Sequence, residues 1–225
     1  MVFGPKWMTL LSFLALAGLF SQVEGYGGYD IPYNITVEVP TRLRIDEGIA
    51  PDSELRQRHN AYRVYLAAEP PGWGLGPMCW LVYAVRLDTQ NITVTVPADV
   101  VPDGTRAHIS TGLILRDNRD RVNGFSYTSS TTILGGNGTW SQRELDGWEI
   151  GSQDELSCRA FACARECEDT YNTGNDGSIN RRADACVRKC ARDLNPSNGA
   201  GSRHITDNAF ISALFMAMTV VMFYS

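Results

Sequence analysis

Six cysteines are the residues of this sequence whose type and spacing most directly indicate chemistry. Two Cys-x-x-x-Cys pairs follow Cys158 in the second half of the chain, and Cys79 lies far upstream. An even number of thiols predicts disulfides or a metal site. Disulfides are favoured, because this spacing is not usual for zinc ligands and the chain carries signals for the oxidising secretory pathway. We therefore expect three disulfides, with no metal ion or other cofactor.

Two helices should position these cysteines. The motif Ser152-Gln153-Asp154-Glu155 has the form of a capping box, which predicts a helix from there to about residue 171. A second helix is expected over about residues 179–193. The 3.6-residue period places two cysteines on one face of each helix, together with apolar neighbours. These face residues are Leu156, Ala160, Cys163 and Cys167 on the first helix, and Ile179, Ala183, Cys186 and Cys190 on the second.

The helix faces indicate which cysteines pair. An antiparallel hairpin brings Cys163 to Cys190 and Cys167 to Cys186. Cys158 lies about 200° around its helix from Leu156 and so points away from that seam. Its natural partner is Cys79, in the preceding β region, and this bond would attach the hairpin to that region.

Asparagine sequons are a second group of modifiable residues. Each of the following asparagines begins an Asn-x-Thr tripeptide: Asn34, Asn91 and Asn137. Asn195 precedes a proline and is excluded. We expect the three sequons to carry N-linked glycans on the protein surface.

The N-terminal residues 1–25 are typical of a secretory signal peptide. Lys6 precedes an apolar run over residues 10–20, which is about half the length that a membrane-spanning helix needs. Small or short residues at Val23 and Gly25 predict cleavage between Gly25 and Tyr26.

The C-terminal residues 195–225 have the pattern of a glycosylphosphatidylinositol (GPI) attachment signal, with small residues, a polar spacer and an apolar tail. A helix over residues 209–224 would reach only about 24 Å, less than a bilayer core of roughly 30 Å. Asn198 has the best spacing for attachment, with Ser197 and Gly199 as alternatives. The protein is therefore expected to bind the membrane through the lipid anchor, on the extracellular face of the plasma membrane or in the cell wall. A tail-anchored form and a processed soluble form are the alternatives.

Residues 26–150 are expected to form one β domain, followed by the helical hairpin over 151–194. Short runs rich in Val, Ile, Thr and Tyr alternate with Gly, Pro and Asp, which predicts an antiparallel β-sandwich of immunoglobulin-like type. The runs cover about residues 35–39, 62–67, 80–87, 92–96, 108–115 and 125–134. In the fourth run, Ile92, Val94 and Val96 should face the core while Asn91 faces water.

Part of this region resembles a fungal domain. The similarity is carried by residues 91–97, by Asp103-Gly104-Thr105, by residues 108–115 and by Gly124-Phe125-Ser126-Tyr127 before residues 131–134. These segments are similar to the immunoglobulin-like domain of Ser/Thr-rich, lipid-anchored wall proteins and of the killer-toxin-resistance family associated with β-1,6-glucan assembly. The resemblance covers about a fifth of the chain and implies a wall-associated sandwich.

Other candidate chemistry is sparse. The 172–180 loop resembles part of a calcium-binding loop but has Gly174 and Ala183 where ligands are required, so a turn is expected. His59 is expected in a solvated face or loop, and His108 at the start of a strand. Acid pairs such as Asp46-Glu47, and Asp117 with Asp120, are expected in turns. The Pro/Gly-rich segment 69–80 holds Trp73 and Trp80, which suit either sugar stacking or, as we favour, packing around Cys79.

The formal charge of −5 gives no surplus of positive charge for a nucleic-acid partner. The sequence is therefore expected to encode a non-enzymatic cell-surface glycoprotein that contacts cell-wall polysaccharide or a protein partner. Two alternatives stay open. One is a β-glucan assembly factor or enzyme, and the other is a secreted binding module or protease inhibitor that presents Arg181-Arg182 of the hairpin.

Overall fold

The structure is a computed structural model that describes residues 29–45, 49–69, 75–118, 122–172 and 180–196. The expected signal peptide with its Gly25–Tyr26 cleavage site, the 173–179 loop and the expected attachment residue Asn198 lie outside these ranges. The described chain is mainly β, with two sheets and four helices.

The smaller sheet has three antiparallel strands in the order β1-β3-β6. Its strands are β1 (Tyr29–Asp30), β3 (Thr41–Ile45) and β6 (Asn91–Val94). Strand β6 alternates as its sequence predicts, because Ile92, Val94 and the following Val96 are buried while Asn91 and Thr93 are exposed. One face of this sheet therefore belongs to the core and the other faces solvent.

The larger sheet has six strands in the order β2-β9-β7-β4-β5, with β8 also paired to β7. Its strands are β2 (Asn34–Thr36), β4 (His59–Ala68), β5 (Gly76–Arg86), β7 (Thr105–Leu115), β8 (Val122–Tyr127) and β9 (Thr131–Leu134). Strands β2 and β9 are parallel and the other pairs are antiparallel. The run expected over residues 125–134 is thus two strands, since the chain leaves the ladder after Tyr127.

The two sheets share one hydrophobic core. Alternate residues of β4, including Tyr62, Val64 and Leu66, are fully buried in it. The Tyr62 ring lies 6.2 Å from the ring of Tyr29, which belongs to the smaller sheet. The outer face of β4 is also covered, because Arg63 and Tyr65 are 1% and 0% exposed. Strand β4 is therefore buried on both sides, which explains its nearly continuous apolar run.

The helices are α1 (Glu54–Arg58), α2 (Gln142–Leu145), α3 (Cys158–Tyr171) and α4 (Arg181–Leu194). Sequence inspection did not predict α1 or α2. The second hairpin helix, α4, lies within two residues of its expected bounds and is capped by Asn180. The described residues contain no helix that is both long and apolar enough to cross a membrane.

The expected start of the first hairpin helix was wrong. Residues 152–155 form a turn, in which the Ser152 carbonyl accepts from the N–H groups of Glu155 and Leu156. The helix begins six residues later, at Cys158, with Ser157 as its N-cap. Leu156 cannot be helical, because its carbonyl accepts a hydrogen bond of 2.9 Å from the backbone N–H of Trp80 on β5. Pairing with the sheet therefore overrides the capping-box pattern.

Candidate binding surface

All six cysteines are bonded in three disulfides, as expected. The pairs are Cys79–Cys158, Cys163–Cys190 and Cys167–Cys186, the same partners that the helix faces indicate. The Sγ atoms of Cys163, Cys167 and Cys190 lie within 4.8 Å of one another. Each is already bonded to another sulfur, whereas a metal ion requires thiolates. The arrangement is therefore covalent cross-linking.

The junction between the sheets and the hairpin is closed by both covalent and hydrogen bonds. The Cys79–Cys158 disulfide joins β5 to the first residue of α3, with a Cα–Cα distance of 4.8 Å. Asn195, just after α4, accepts from the Ser157 N–H through Oδ1 at 2.9 Å and donates through Nδ2 to the Glu155 carbonyl at 2.7 Å. Both ends of the hairpin are thus tied to the turn that contacts β5.

A buried ion pair anchors α3 to the β region. Arg165 Nε donates to the Glu144 carboxylate at 2.7 Å, and both side chains are nearly inaccessible to solvent. Arg165 also donates to the Val100 carbonyl at 2.7 Å and lies 4.9 Å from the centre of the Phe161 ring. Glu144 in turn completes the capping box of α2 with Ser141. Because every polar group in this cluster has a partner, the charges are tolerated away from water.

A second polar network covers the outer face of the larger sheet. Asp154, in the turn before α3, accepts from Arg63 at 3.1 Å and from the Tyr65 hydroxyl at 2.5 Å. Arg63 also donates to the Tyr83 carbonyl and stacks on the Tyr83 ring at 4.2 Å. The turn at residues 152–155 therefore holds β4 side chains that would otherwise face solvent.

Next to this network lies the surface that we call the outer aromatic face, defined by Tyr65, Phe125 and Tyr127. Phe125 and Tyr127 lie two residues apart on β8, so their side chains project from the same side of the sheet. Each is 39% exposed. The Phe125 ring meets the Tyr65 ring edge-on at 5.5 Å. One of the two exposed rings, Phe125, thus packs against a buried aromatic side chain.

Gly112 on β7 makes room for this arrangement. It lies opposite Phe125 in the ladder. A Cβ at this position would fall 2.1 Å from Val122 Cγ1 and 3.2 Å from Phe125 Cε1, which is too close for both contacts to persist. The missing side chain therefore lets Val122 and Phe125 lie flat against β7.

Both tyrosine hydroxyls of the face stay protonated at neutral pH. Burial, followed by the hydrogen bond to Asp154, raises the pKa of Tyr65 far above its usual range. Burial also raises the pKa of Tyr127. The face consequently presents neutral rings together with a hydroxyl group. This combination is suited to stacking against an uncharged sugar ring.

The three sequon asparagines are exposed. Asn34 begins β2 and Asn91 begins β6. Asn137 lies in the loop after β9, where its N–H donates to the Ala98 carbonyl at 2.7 Å. With Asp99 and Arg159, Asn137 lines an open groove of about 470 Å³ between the β region and α3. All three positions have the exposure that attachment of a glycan requires.

The histidines differ from expectation in one case. His59 was expected in a solvated segment, but it is 4% exposed and begins β4, with Nδ1 2.9 Å from the Leu55 carbonyl. The preceding Glu54–Arg58 helix turns it inward. His108 is on β7, close to its expected place, with Nδ1 2.8 Å from the Thr128 carbonyl. In both side chains, one ring nitrogen is engaged by a backbone carbonyl.

The tryptophans that sequence inspection singled out do not form an exposed platform within the described chain. Trp80 is 3% exposed and packs against Tyr83, as the packing interpretation predicts. Trp73 lies outside the described residues, as do Asp46, Glu47 and Asp120. The sequence pattern places Phe125 and Tyr127 in a strand but does not mark them as a surface. Their i, i+2 spacing was the available signal.

No protein-family model matches this chain, and comparisons with curated proteins and with solved structures give no significant match.

Proposed function

We propose that this protein is a GPI-anchored, N-glycosylated, non-enzymatic protein of the cell surface, of the fungal-wall type, whose outer aromatic face binds a neutral wall polysaccharide. The observation that carries the binding activity is the pair of exposed rings, Phe125 and Tyr127, of which Phe125 packs against the buried Tyr65. Rigid aromatic rings next to hydroxyl groups are a favourable surface for sugar rings.

The strand order supports an immunoglobulin-like sandwich as the scaffold. When β2 and β8 are left aside and the other strands are lettered in chain order, β1, β3 and β6 take the places of A, B and E in one sheet. Strands β5, β4, β7 and β9 take the places of C′, C, F and G in the other. The shared apolar core between the sheets agrees with this assignment.

Disulfides and exposed sequons support a secreted location. Three disulfides are typical of proteins that fold in an oxidising compartment. The terminal sequence signals add the lipid anchor at Asn198. Treatment of intact cells with a phosphatidylinositol-specific phospholipase should release the protein, and mass spectrometry of the released form should find Tyr26 at its N-terminus. Protein that stays with the membrane after treatment would contradict the anchor.

Two features support a binding role over the alternatives. His59 and His108 each direct Nδ1 to a backbone carbonyl, so neither is oriented by a carboxylate as the base of a catalytic triad is. Arg181 and Arg182 lie in the first turn of α4, not in an extended loop that could enter a protease active site. A role in β-glucan assembly remains compatible with polysaccharide binding, and unchanged glucan linkages in a deletion strain would exclude that role.

Polysaccharide binding can be tested directly. The full-length secreted protein is incubated with insoluble β-1,3-glucan, β-1,6-glucan and chitin, and the bound fraction is measured. Replacing Phe125 and Tyr127 together by Ala should weaken binding about thirtyfold, since each stacked ring contributes on the order of 1 kcal/mol. The matched control is Tyr33→Ala, because Tyr33 is 80% exposed but lies outside the aromatic face. An equal loss in both variants would contradict the assignment.

A further inference from the structure

The outer face of the smaller sheet carries a pair of arginines. Arg42 and Arg44 lie two residues apart on β3, and both are exposed on the side opposite the buried Leu43. Within the described residues, neither guanidinium group lies within 4.0 Å of a carboxylate, although Asp30 is the register partner of Arg44. Two like charges close together on one face of a sheet repel each other, and an anion between them offsets that repulsion.

The arginines line a concave surface. An open depression of about 550 Å³ is formed by Asp30, Ile31, Pro32, Arg42, Arg44 and Asn91. Ile31 and Pro32 form an apolar wall, and the two arginine side chains supply hydrogen-bond donors. The depression is therefore large enough for a group of sugar-phosphate size and has positive charge on one side.

The sequon of Asn91 belongs to the same surface. Asn91 pairs with Arg44 across the sheet, and Thr93 pairs with Arg42. Register partners in an antiparallel sheet project from the same face. A glycan on Asn91 would therefore leave the protein next to both guanidinium groups.

We propose that Arg42 and Arg44 form an anion site for a phosphate or sulfate ester carried on a carbohydrate. A guanidinium group donates two parallel hydrogen bonds to such an ester and keeps its charge at any physiological pH. The ester has two possible sources, namely the glycan of this chain at Asn91 or a separate polysaccharide. The site is distinct from the outer aromatic face, which lies on the other sheet, so it does not depend on neutral-polysaccharide binding.

The test measures retention of the full-length secreted protein on dextran sulfate beads, with uncharged dextran beads as the reference. Replacing Arg42 and Arg44 together by Ala should weaken retention about tenfold or more. The matched control replaces Arg181 and Arg182 by Ala, which removes the same charge from exposed positions on α4. This control should lose less than about threefold. Equal losses in the two variants would overturn the proposal, because net charge alone would then explain retention.

Two further variants examine the geometry. Replacing both arginines by Lys keeps the charge but removes the forked donors, so retention should fall between those of the wild type and the Ala variant. Retention equal to that of the wild type would overturn the guanidinium site. Asp30→Asn should strengthen retention, because Asp30 faces Arg44 and repels an incoming anion.

Asn91→Gln separates the two sources of the ester. If this variant is retained more strongly than the wild type, an ester on the chain's own glycan occupies the site. If the two are retained equally, the ligand is a separate polysaccharide. Both outcomes support the site, provided that retention depends on Arg42 and Arg44. Retention that is independent of these arginines in both backgrounds overturns it. Mass spectrometry of Asn91 reports separately on glycosylation, which belongs to the proposed function.

Discussion

The two sheets bury a continuous apolar core, whereas the helical hairpin buries mainly small side chains and is cross-linked. Large residues such as Tyr62, Leu66 and Ile109 are fully buried between the sheets. The buried side chains of α3 and α4 include Ala160, Ala164, Ala183 and Val187. Two disulfides bridge these helices and a third attaches them to β5. The difference shows that an element too small to bury much apolar surface can be stabilised by covalent bonds instead.

The junction between the two regions depends on groups that each region alone would leave unsatisfied. Arg165 comes from the hairpin and Glu144 from α2, and the pair is almost fully buried. Arg63 comes from the sheet and Asp154 from the turn before α3, where Asp154 remains 26% exposed. Separating the regions would therefore break two ion pairs and a disulfide. The charged groups of each pair would then have only water as a partner.

The largest expected effect comes from removing the disulfide that joins the two regions. The Cys79–Cys158 bond closes a separation of 79 residues, so replacing both cysteines by Ala should cost about 4.5 kcal/mol in the free energy of unfolding. Replacing Cys163 and Cys190, which are 27 residues apart, should cost about 3.5 kcal/mol. Urea unfolding followed by circular dichroism measures both.

Their ranking tests the comparison between the regions. The Cys79/Cys158 variant should also unfold in two steps, because the strands supply most of the shared core and keep that part of it when the hairpin separates. A larger cost for the hairpin disulfide than for the junction disulfide would contradict the expected ranking of the two bonds.

The next effect comes from the buried ion pairs. Glu144→Ala leaves the Arg165 charge buried without its carboxylate partner and should cost about 3–5 kcal/mol. Asp154→Ala should cost less, about 2 kcal/mol, because water can reach Arg63 through the exposed side of Asp154. Thermal unfolding of both variants gives the difference.

A double variant provides the control. Glu144→Leu combined with Arg165→Met removes both charges, and it should recover most of the loss caused by Glu144→Ala. If the double variant is as unstable as Glu144→Ala, the loss of the Arg165 hydrogen bonds to the Asp99 and Val100 carbonyls costs as much as the unpaired charge does.

Local patterns predict those strands and helices whose buried face is marked by the spacing of residues along the chain. The alternation in residues 91–96 gives β6 and its buried side, and the Cys-x-x-x-Cys spacing gives the helix pairing. Both signals depend only on neighbours along the chain. The disulfide partner of Cys158 followed from its position on the opposite helix face.

Long-range contacts explain what local patterns missed. Ser152-Gln153-Asp154-Glu155 has capping-box residues, but the bond from Trp80 N–H to the Leu156 carbonyl keeps this segment out of the helix. His59 is buried because α1 and β7 surround it. Its neighbours in the sequence are polar and therefore do not indicate this burial. The outer aromatic face depends on Gly112, far from Phe125 along the chain. A window of a few residues contains the contact of His59 with α1, but not its pairing with Leu115, nor the contacts with Trp80 and Gly112.

The smallest expected effect concerns two aspartates of the hairpin. Asp169 is on the side of α3 that is docked on the β region, and Asp193 is on the free side of α4. Burial, followed by the negative charge of Glu144, raises the pKa of Asp169 on α3, although Arg165 opposes the shift. The folded state therefore binds this proton more tightly than the unfolded state, and stability falls as pH rises from the unfolded pKa through the raised value. Asp169→Asn should stabilise the protein at pH 7 by about 0.5 kcal/mol or less, since the group is largely exposed.

The matched control is Asp193 on α4, where the hydrogen bond and charge of Lys189 lower the pKa. This carboxylate contributes stability above its unfolded pKa and loses it as pH falls, so Asp193→Asn should destabilise the protein at pH 7. Urea unfolding at pH 7 and at pH 3 measures both variants, and both effects should shrink at the lower pH. The opposite signs arise because Asp169 faces the buried Glu144–Arg165 pair, whereas Asp193 faces solvent and a lysine. Destabilisation by Asp169→Asn at pH 7 would show that the docked side of α3 needs this negative charge.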